Sequence, residues 1–163
     1  MRIEDINALD RREFVDALGG VFEDSPWVAS RAWKLRPFAS VRELHAAMRD
    51  QVERATPDEQ LALLRAHPDL GARAKMSEAS LGEQAGAGLD RLTPGEYAKL
   101  QRMNAAYREK FGFPFLFAVK GSAKHDILKA LERRLDSAAE DEFRVAFEQV
   151  YRIAQYRLEE AIG

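Results

Sequence analysis

Cysteine is absent from this chain of 163 residues, and with it go disulfides, thiolate nucleophiles and cysteine-based zinc sites. The absence agrees with a reducing compartment. Histidine is scarce, at 3 residues, and none stands in the His-x-His or His-Glu-x-x-His spacing that metal catalysis favours. Neither sign of charge dominates: 25 basic side chains against 27 acidic ones leave a net charge of −2. No basic run stands out, so neither nucleic acid nor an anionic membrane surface is an expected partner. No apolar run approaches the ~20 residues that span a bilayer. The opening stretch, MRIEDINALDRREF, is charged where a signal peptide would be apolar, and the closing EEAIG carries no peroxisomal or retention address. A cytoplasmic protein is the expectation. Gly-x-Ser-x-Gly, Gly-x-Gly-x-x-Gly and the phosphate loop are also missing, so serine hydrolases and nucleotide-binding folds find no signature. The Ala-Gly-Ala-Gly at 85–88 is too short to count as one.

What is present is enough for a core: 46% of the residues are hydrophobic and 32% charged, as expected of one domain covering 1–163. Helix starts recur. Asp10 with Glu13, Ser40 with Glu43, Thr56 with Glu59, Thr93 with Glu96 and Ser137 with Glu140 all have capping-box spacing. In that arrangement a small side chain satisfies an orphan amide and the acid three residues on reaches back. Pro26, Pro57 and Pro94 each follow a capping-type residue, where a first-turn proline sacrifices no bond. Phe143, Phe147, Val150, Ala154, Leu158 and Ile162 fall three or four apart, as do Ile127, Leu128, Leu131 and Leu135, and Leu44, Met48 and Val52. The expected fold class is all-α, a single-domain multi-helix bundle.

Two stretches break the helical pattern. At 67–71 the sequence reads HPDLG, where proline ends the helix that opens near Thr56. At 111–121 it reads FGFPFLFAVKG, whose aromatic and β-branched content suits a buried extended segment between helices. The backbone groups of a lone extended segment need partners, so it is either a ligand cradle or a connector crossing the core.

His45 and His125 sit among charged neighbours on helices and read as solvated. His67 stands at a helix break, at the mouth of a loop. It can be an imidazolium favoured by the helix dipole or the chain's best general acid or base, with an ordinary pKa of ~6.5. Ser80 and Glu83 again have capping-box spacing, so Ser80, Glu83 and Gln84 would cluster at a helix N-terminus. Free amides there attract an anion, and Gln84 can both donate and accept. Gly86 and Gly88 weaken the turn that follows.

Four runs, taken in order, resemble the OHCU decarboxylase family: SPWVASRAW, RAHPDLGARAK, SEASLGEQAGAGLD and NAAYREKFGFPFLFAVKG. They cover the chain from about Phe14 to Gly121. The resemblance implies an all-helical enzyme without cofactor, generally a homodimer. Its substrate is the small acidic ring 2-oxo-4-hydroxy-4-carboxy-5-ureidoimidazoline, and its products are (S)-allantoin and carbon dioxide in urate breakdown. It implies His67 as the catalytic histidine, Pro68 as a shaper of the pocket, and Ser80, Glu83 and Gln84 as the Ser-x-x-Glu-Gln group. Ligand-contacting backbone falls at Ala118 and Val119. Well-known members carry arginine where this chain has Lys120. That exchanges a bidentate clamp for a point charge, keeping attraction for an acidic substrate with less orientation.

The chemistry suits these residue types. Decarboxylation leaves an electron pair that many enzymes pass to a cofactor, whereas this substrate carries an unsaturated carbon–nitrogen unit beside the departing carboxylate. His67 within ~3 Å of the hydroxyl proton can take or return it, and Glu83 can orient the imidazole. Two other readings stay open: a helical interaction module using the Phe-rich stretch as a groove, and a lyase or hydrolase acting on a related ureido ring.

Overall fold

A computed structural model describes residues 1–71 and 78–163, without the side chain of Glu78. Residues 72–77, which hold the end of the RAHPDLGARAK run and the first residue of SEASLGEQAGAGLD, lie outside the described residues. Among the described residues the secondary structure is entirely helical: α1 (Ile3–Ala8), α2 (Arg11–Leu18), α3 (Trp27–Ala32), α4 (Val41–Glu53), α5 (Pro57–Arg65), α6 (Glu78–Gly86), α7 (Pro94–Phe111), α8 (Lys124–Arg134) and α9 (Ala139–Ala161), with one 3₁₀ turn at Trp33–Leu35. The all-α expectation holds.

The local signals explain most of the boundaries. Asp10, Thr56 and Thr93 each accept the amide of the residue three along, and Glu13, Glu59 and Glu96 return the bond. Pro57 and Pro94 occupy the first helical turn. Ser40 caps α4 by accepting from Glu43 N–H at 3.2 Å, but the Glu43 carboxylate takes the Ala39 amide instead of closing the box. Two expected starts are displaced. Pro26 is the cap of α3 and not its first residue, and α9 begins at Ala139, so Ser137 lies outside it and Ala138 O accepts the Glu142 amide. Of the expected α9 stripe, Phe147, Val150, Ala154, Leu158 and Ile162 are buried together with Glu142 and Ala146, while Phe143 is 38% exposed.

The described residues form two compact units. One comprises Met1–Ala66 with Tyr151–Gly163, the other His67–Val150. In the first, α3 packs on α2 and α4, and Phe14, Leu18, Phe22, Val28, Leu44, Met48, Leu63 and Leu64 are buried. A buried ion pair, Arg157 to Glu23 at 2.8 Å, sits within that core, and the Gly163 amide meets the Met1 carbonyl at 3.0 Å. The second unit packs α7 on α8. Its core holds Leu100, Tyr107, Phe113, Phe115, Leu116, Ile127 and Leu131. The Tyr107 ring meets Phe115 edge-on at 5.4 Å and Phe111 at 4.5 Å, spacings at which aromatic pairs add to simple burial.

The FGFPFLFAVKG stretch is irregular beyond Phe111, with Phe113, Pro114, Phe115, Leu116 and Val119 buried. The expected buried segment is therefore present, opened by Gly112 in the left-handed conformation (φ 81°) that closes α7, and serves as the connector to α8.

Candidate active site

Every residue singled out from the sequence for chemistry lies in the second unit. Helix α5 ends at Arg65, and its last amide bond runs from Ala66 N–H to Ala62 O at 2.9 Å. Pro68 then prevents another turn. His67, at the helix break, is 6% exposed and therefore buried. Pro68 and Asp69 are half-buried. The three residues after Pro68 are each held by a side chain from a helix. Arg108 Nη2 donates to Asp69 Oδ1 at 2.8 Å, Asn104 Nδ2 donates to Leu70 O at 3.0 Å, and the Gly71 amide donates to Gln84 Oε1 at 2.8 Å. Gly71 takes φ 71°, and a Cβ there would lie 2.5 Å from Leu100 Cδ2. Only glycine suits that turn.

The Gly71–Gln84 bond joins the HPDLG segment directly to α6. That helix begins at Glu78, so Ser80 lies inside its first turn instead of capping it, and Glu83 and Gln84 fall in the second turn. The expected cluster at an N-terminus is thus displaced by most of a turn, because the helix starts before the Ser-x-x-Glu spacing. Ser80 and Gln84, four residues apart on one face, are 5% and 6% exposed, and Glu83 is half-buried beside them. Gly88 (φ 81°) and the bond from Leu89 N–H to Gln84 O at 3.0 Å close the helix.

The connector is fixed from behind by an ionic network. Glu142, 1% exposed, accepts from Tyr107 Oη and from Arg134 Nε, both at 2.6 Å, while Arg134 Nη1 donates to Leu116 O at 2.6 Å. The Arg134 guanidinium also lies over the Phe115 ring at 4.5 Å. Burial, and then the Glu142 carboxylate, push the Tyr107 hydroxyl far above its ordinary range, so it stays a donor. The Ala118 amide donates to Gln149 Oε1 at 2.9 Å. A ligand that needs this amide must therefore displace Gln149. Val119 is buried, its carbonyl accepting from Ser122 N–H at 3.0 Å, and Lys120 is exposed in the turn before α8.

The other histidines differ from one another. His125 is exposed, 3.8 Å from Glu96. His45, expected to be solvated, is half-buried with Nε2 2.8 Å from the Tyr151 carbonyl. It lines a surface hollow of about 470 Å³ in the first unit with Val41, Arg42, Gln155 and Glu159, and none of the expected site residues reaches that hollow. Among the described residues no group of three or more His, Asp or Glu side chains is gathered as a ligand set for a metal.

Sequence reasoning passed over Asn104, Arg108, Gln149 and the Tyr107–Glu142–Arg134 network. One signal was available: Leu100, Asn104 and Tyr107 share a buried face of α7, and an asparagine in the middle of an apolar stripe asks for a partner.

Fold and site together define an all-helical protein that carries a buried histidine on a clamped loop against a Ser-x-x-Glu-Gln helix. The family model described as OHCU decarboxylase matches residues 7–159. The 2-oxo-4-hydroxy-4-carboxy-5-ureidoimidazoline decarboxylase of Haloferax volcanii is 51% identical over 160 residues, which cover 98% of this chain and 95% of that one. The decarboxylase of the same name from Halalkalicoccus jeotgali is 49% identical, over 98% of this chain and 91% of its own length. A crystal structure of (S)-allantoin synthase superposes with a TM-score of 0.82 at 34% identity, covering 99% of this chain and 54% of that longer one. The chain belongs to the OHCU decarboxylase family.

Proposed function

We propose that this protein decarboxylates 2-oxo-4-hydroxy-4-carboxy-5-ureidoimidazoline to (S)-allantoin and carbon dioxide, with His67 as general acid/base and Glu83 assisting it. Family membership supports the reaction, and the single structural observation behind the residue roles is the Gln84–Gly71 bond, which brings the histidine segment to the Glu83 helix. In the reaction the bond from the ring to its carboxylate breaks and carbon dioxide leaves. The electron pair enters the adjacent carbon–nitrogen unit, whose nitrogen takes up one proton from solvent; the ring hydroxyl then gives up its proton to become the carbonyl, and the neighbouring carbon gains a proton on one face. A buried imidazole can carry that proton. Fixed donors around it select the face, and a water-poor site strengthens every such contact.

Within the same proposal, Pro68 shapes the wall beside His67, and Ser80 and Gln84 hold the ureido group. The Ala118 and Val119 backbone meets the ring oxygens once Gln149 yields, and Lys120 attracts the departing carboxylate. The protein works without cofactor, as a cytoplasmic homodimer. Its charged, cysteine-free composition supports the compartment, and light scattering tests the dimer, with a monomer at micromolar concentration contradicting it.

The test of function uses freshly generated substrate and the wild-type protein. Protonation in free solution reaches both faces and gives racemic allantoin, so the readout is the handedness of the product by circular dichroism. A strong (S) excess is expected, unchanged by chelators. A racemic product formed at the spontaneous rate would leave a non-catalytic interaction module as the better reading.

A further inference from the structure

We infer that Asn104 is a positioning residue for His67, acting through the Leu70 carbonyl and the clamped turn that follows the histidine. The inference rests on the proposed role of His67 and adds to it a residue that holds the loop in place. Between Pro68 and the end of the described segment, each of three successive residues is anchored by a different side chain: Asp69 by Arg108, Leu70 by Asn104, Gly71 by Gln84. Two of these anchors come from α7, one turn apart, and the third from α6. A segment with no helix or strand of its own has no backbone ladder to hold it, so side-chain bonds of this kind decide where its imidazole rests.

Of the anchors, Asn104 is the one whose chemistry the core does not require. It is 5% exposed and lies between Leu100 and Tyr107 on the buried face of α7. A leucine has the same branched outline, with bulkier methyl ends, and carries no polar group into the interior. The amide instead directs one donor at one carbonyl, 34 residues away in sequence. Arg108 does its work from the surface, with 48% of its side chain exposed, so it is the weaker of the two α7 anchors. Catalysis by proton transfer is sensitive to this kind of support, since a displacement of about 1 Å can cost roughly 100-fold in rate.

The test compares Asn104→Leu, Asn104→Asp and the surface variant Arg108→Ala with the wild-type protein and with His67→Ala. Asn104→Leu keeps the branched outline but loses the donor. Asn104→Asp keeps the shape and sets a carboxylate oxygen against the Leu70 carbonyl. Both are expected to lower kcat at least 30-fold with KM within threefold, and to shift or flatten the pH profile of kcat. Arg108→Ala is expected to lower kcat two- to fivefold without unfolding the protein. A merely structural asparagine would scale activity with the folded fraction and leave the pH profile in place, and that result would overturn the inference. Should Asn104→Leu not fold, Asn104→Asp carries the test, and its wild-type kcat and pH profile would overturn the inference. If His67→Ala itself retains full activity, the reading of His67 fails instead; an inactive His67→Ala beside fully active Asn104 variants removes the positioning role alone.

Discussion

Glu142 is held by two donors in the interior of the second unit, at 2.6 Å from Tyr107 Oη and from Arg134 Nε. A buried ion pair adds little over a well-packed apolar substitute, but removing one partner strands the other charge. Glu142→Ala is therefore expected to cost about 3–5 kcal/mol of unfolding free energy in a denaturant titration. Tyr107→Phe removes one bond to a charged acceptor and is expected to cost about 1.5–3 kcal/mol. A loss below about 1 kcal/mol for Glu142→Ala would mean that the carboxylate is solvated. Neither side chain was visible as a partner in the sequence. The pair is separated by 35 residues, and the three-four spacing that picks out the buried face of α9 from Phe147 onward put Phe143 on that face in place of Glu142. His67 was legible because a His-Pro pair at a helix break is unusual. Its burial was not, because loop burial depends on what packs over it.

At the scale of elements, helix starts were read correctly where the cap and the acid satisfy each other, as at Thr56–Glu59 and Thr93–Glu96. They were misread at Ser80 and Ser137, where the same spacing falls just inside or just before a helix, since Ser-x-x-Glu also occurs wherever helix-compatible residues are common. The true boxes have a consequence in acid. The Arg31 hydrogen bond, with the Thr56 amide, lowers Glu59 to about 2 from 4.5, and the Lys124 bond, with the Thr93 amide, lowers Glu96 to about 2. Both folded-state values are depressed, so the stabilisation is complete above the ordinary carboxylate value of 4.5 and drains away as pH falls from there toward 2. Melting temperatures taken from pH 6 downward should fall through that window, and the double variant Glu59→Gln, Glu96→Gln should show a shallower fall. Equal slopes for the two proteins would contradict the assignment. Gly71→Ala meets both the left-handed backbone and Leu100; it is expected to cost about 1–2 kcal/mol from the backbone alone, measured in the same denaturant titration.

For the whole molecule, the all-helical class was legible because capping and apolar spacing agree along most of the chain. The division into two units was not, because α9 is one unbroken helix that contributes residues to both and no linker composition marks the boundary. The sequence named candidate site residues but not the bonds that join their segments. Those bonds, Gln84 to Gly71 and Asn104 to Leu70, link positions 13 and 34 residues apart, beyond the reach of helical periodicity. The family match spans 7–159 and so includes residues of both units. The central claim is that the His67 imidazole carries the proton. Its most direct measurement is the circular dichroism of allantoin formed by folded His67→Ala from fresh substrate, beside wild type at equal concentration. The expected result is racemic product at the spontaneous rate; an undiminished excess of the (S) form would contradict it.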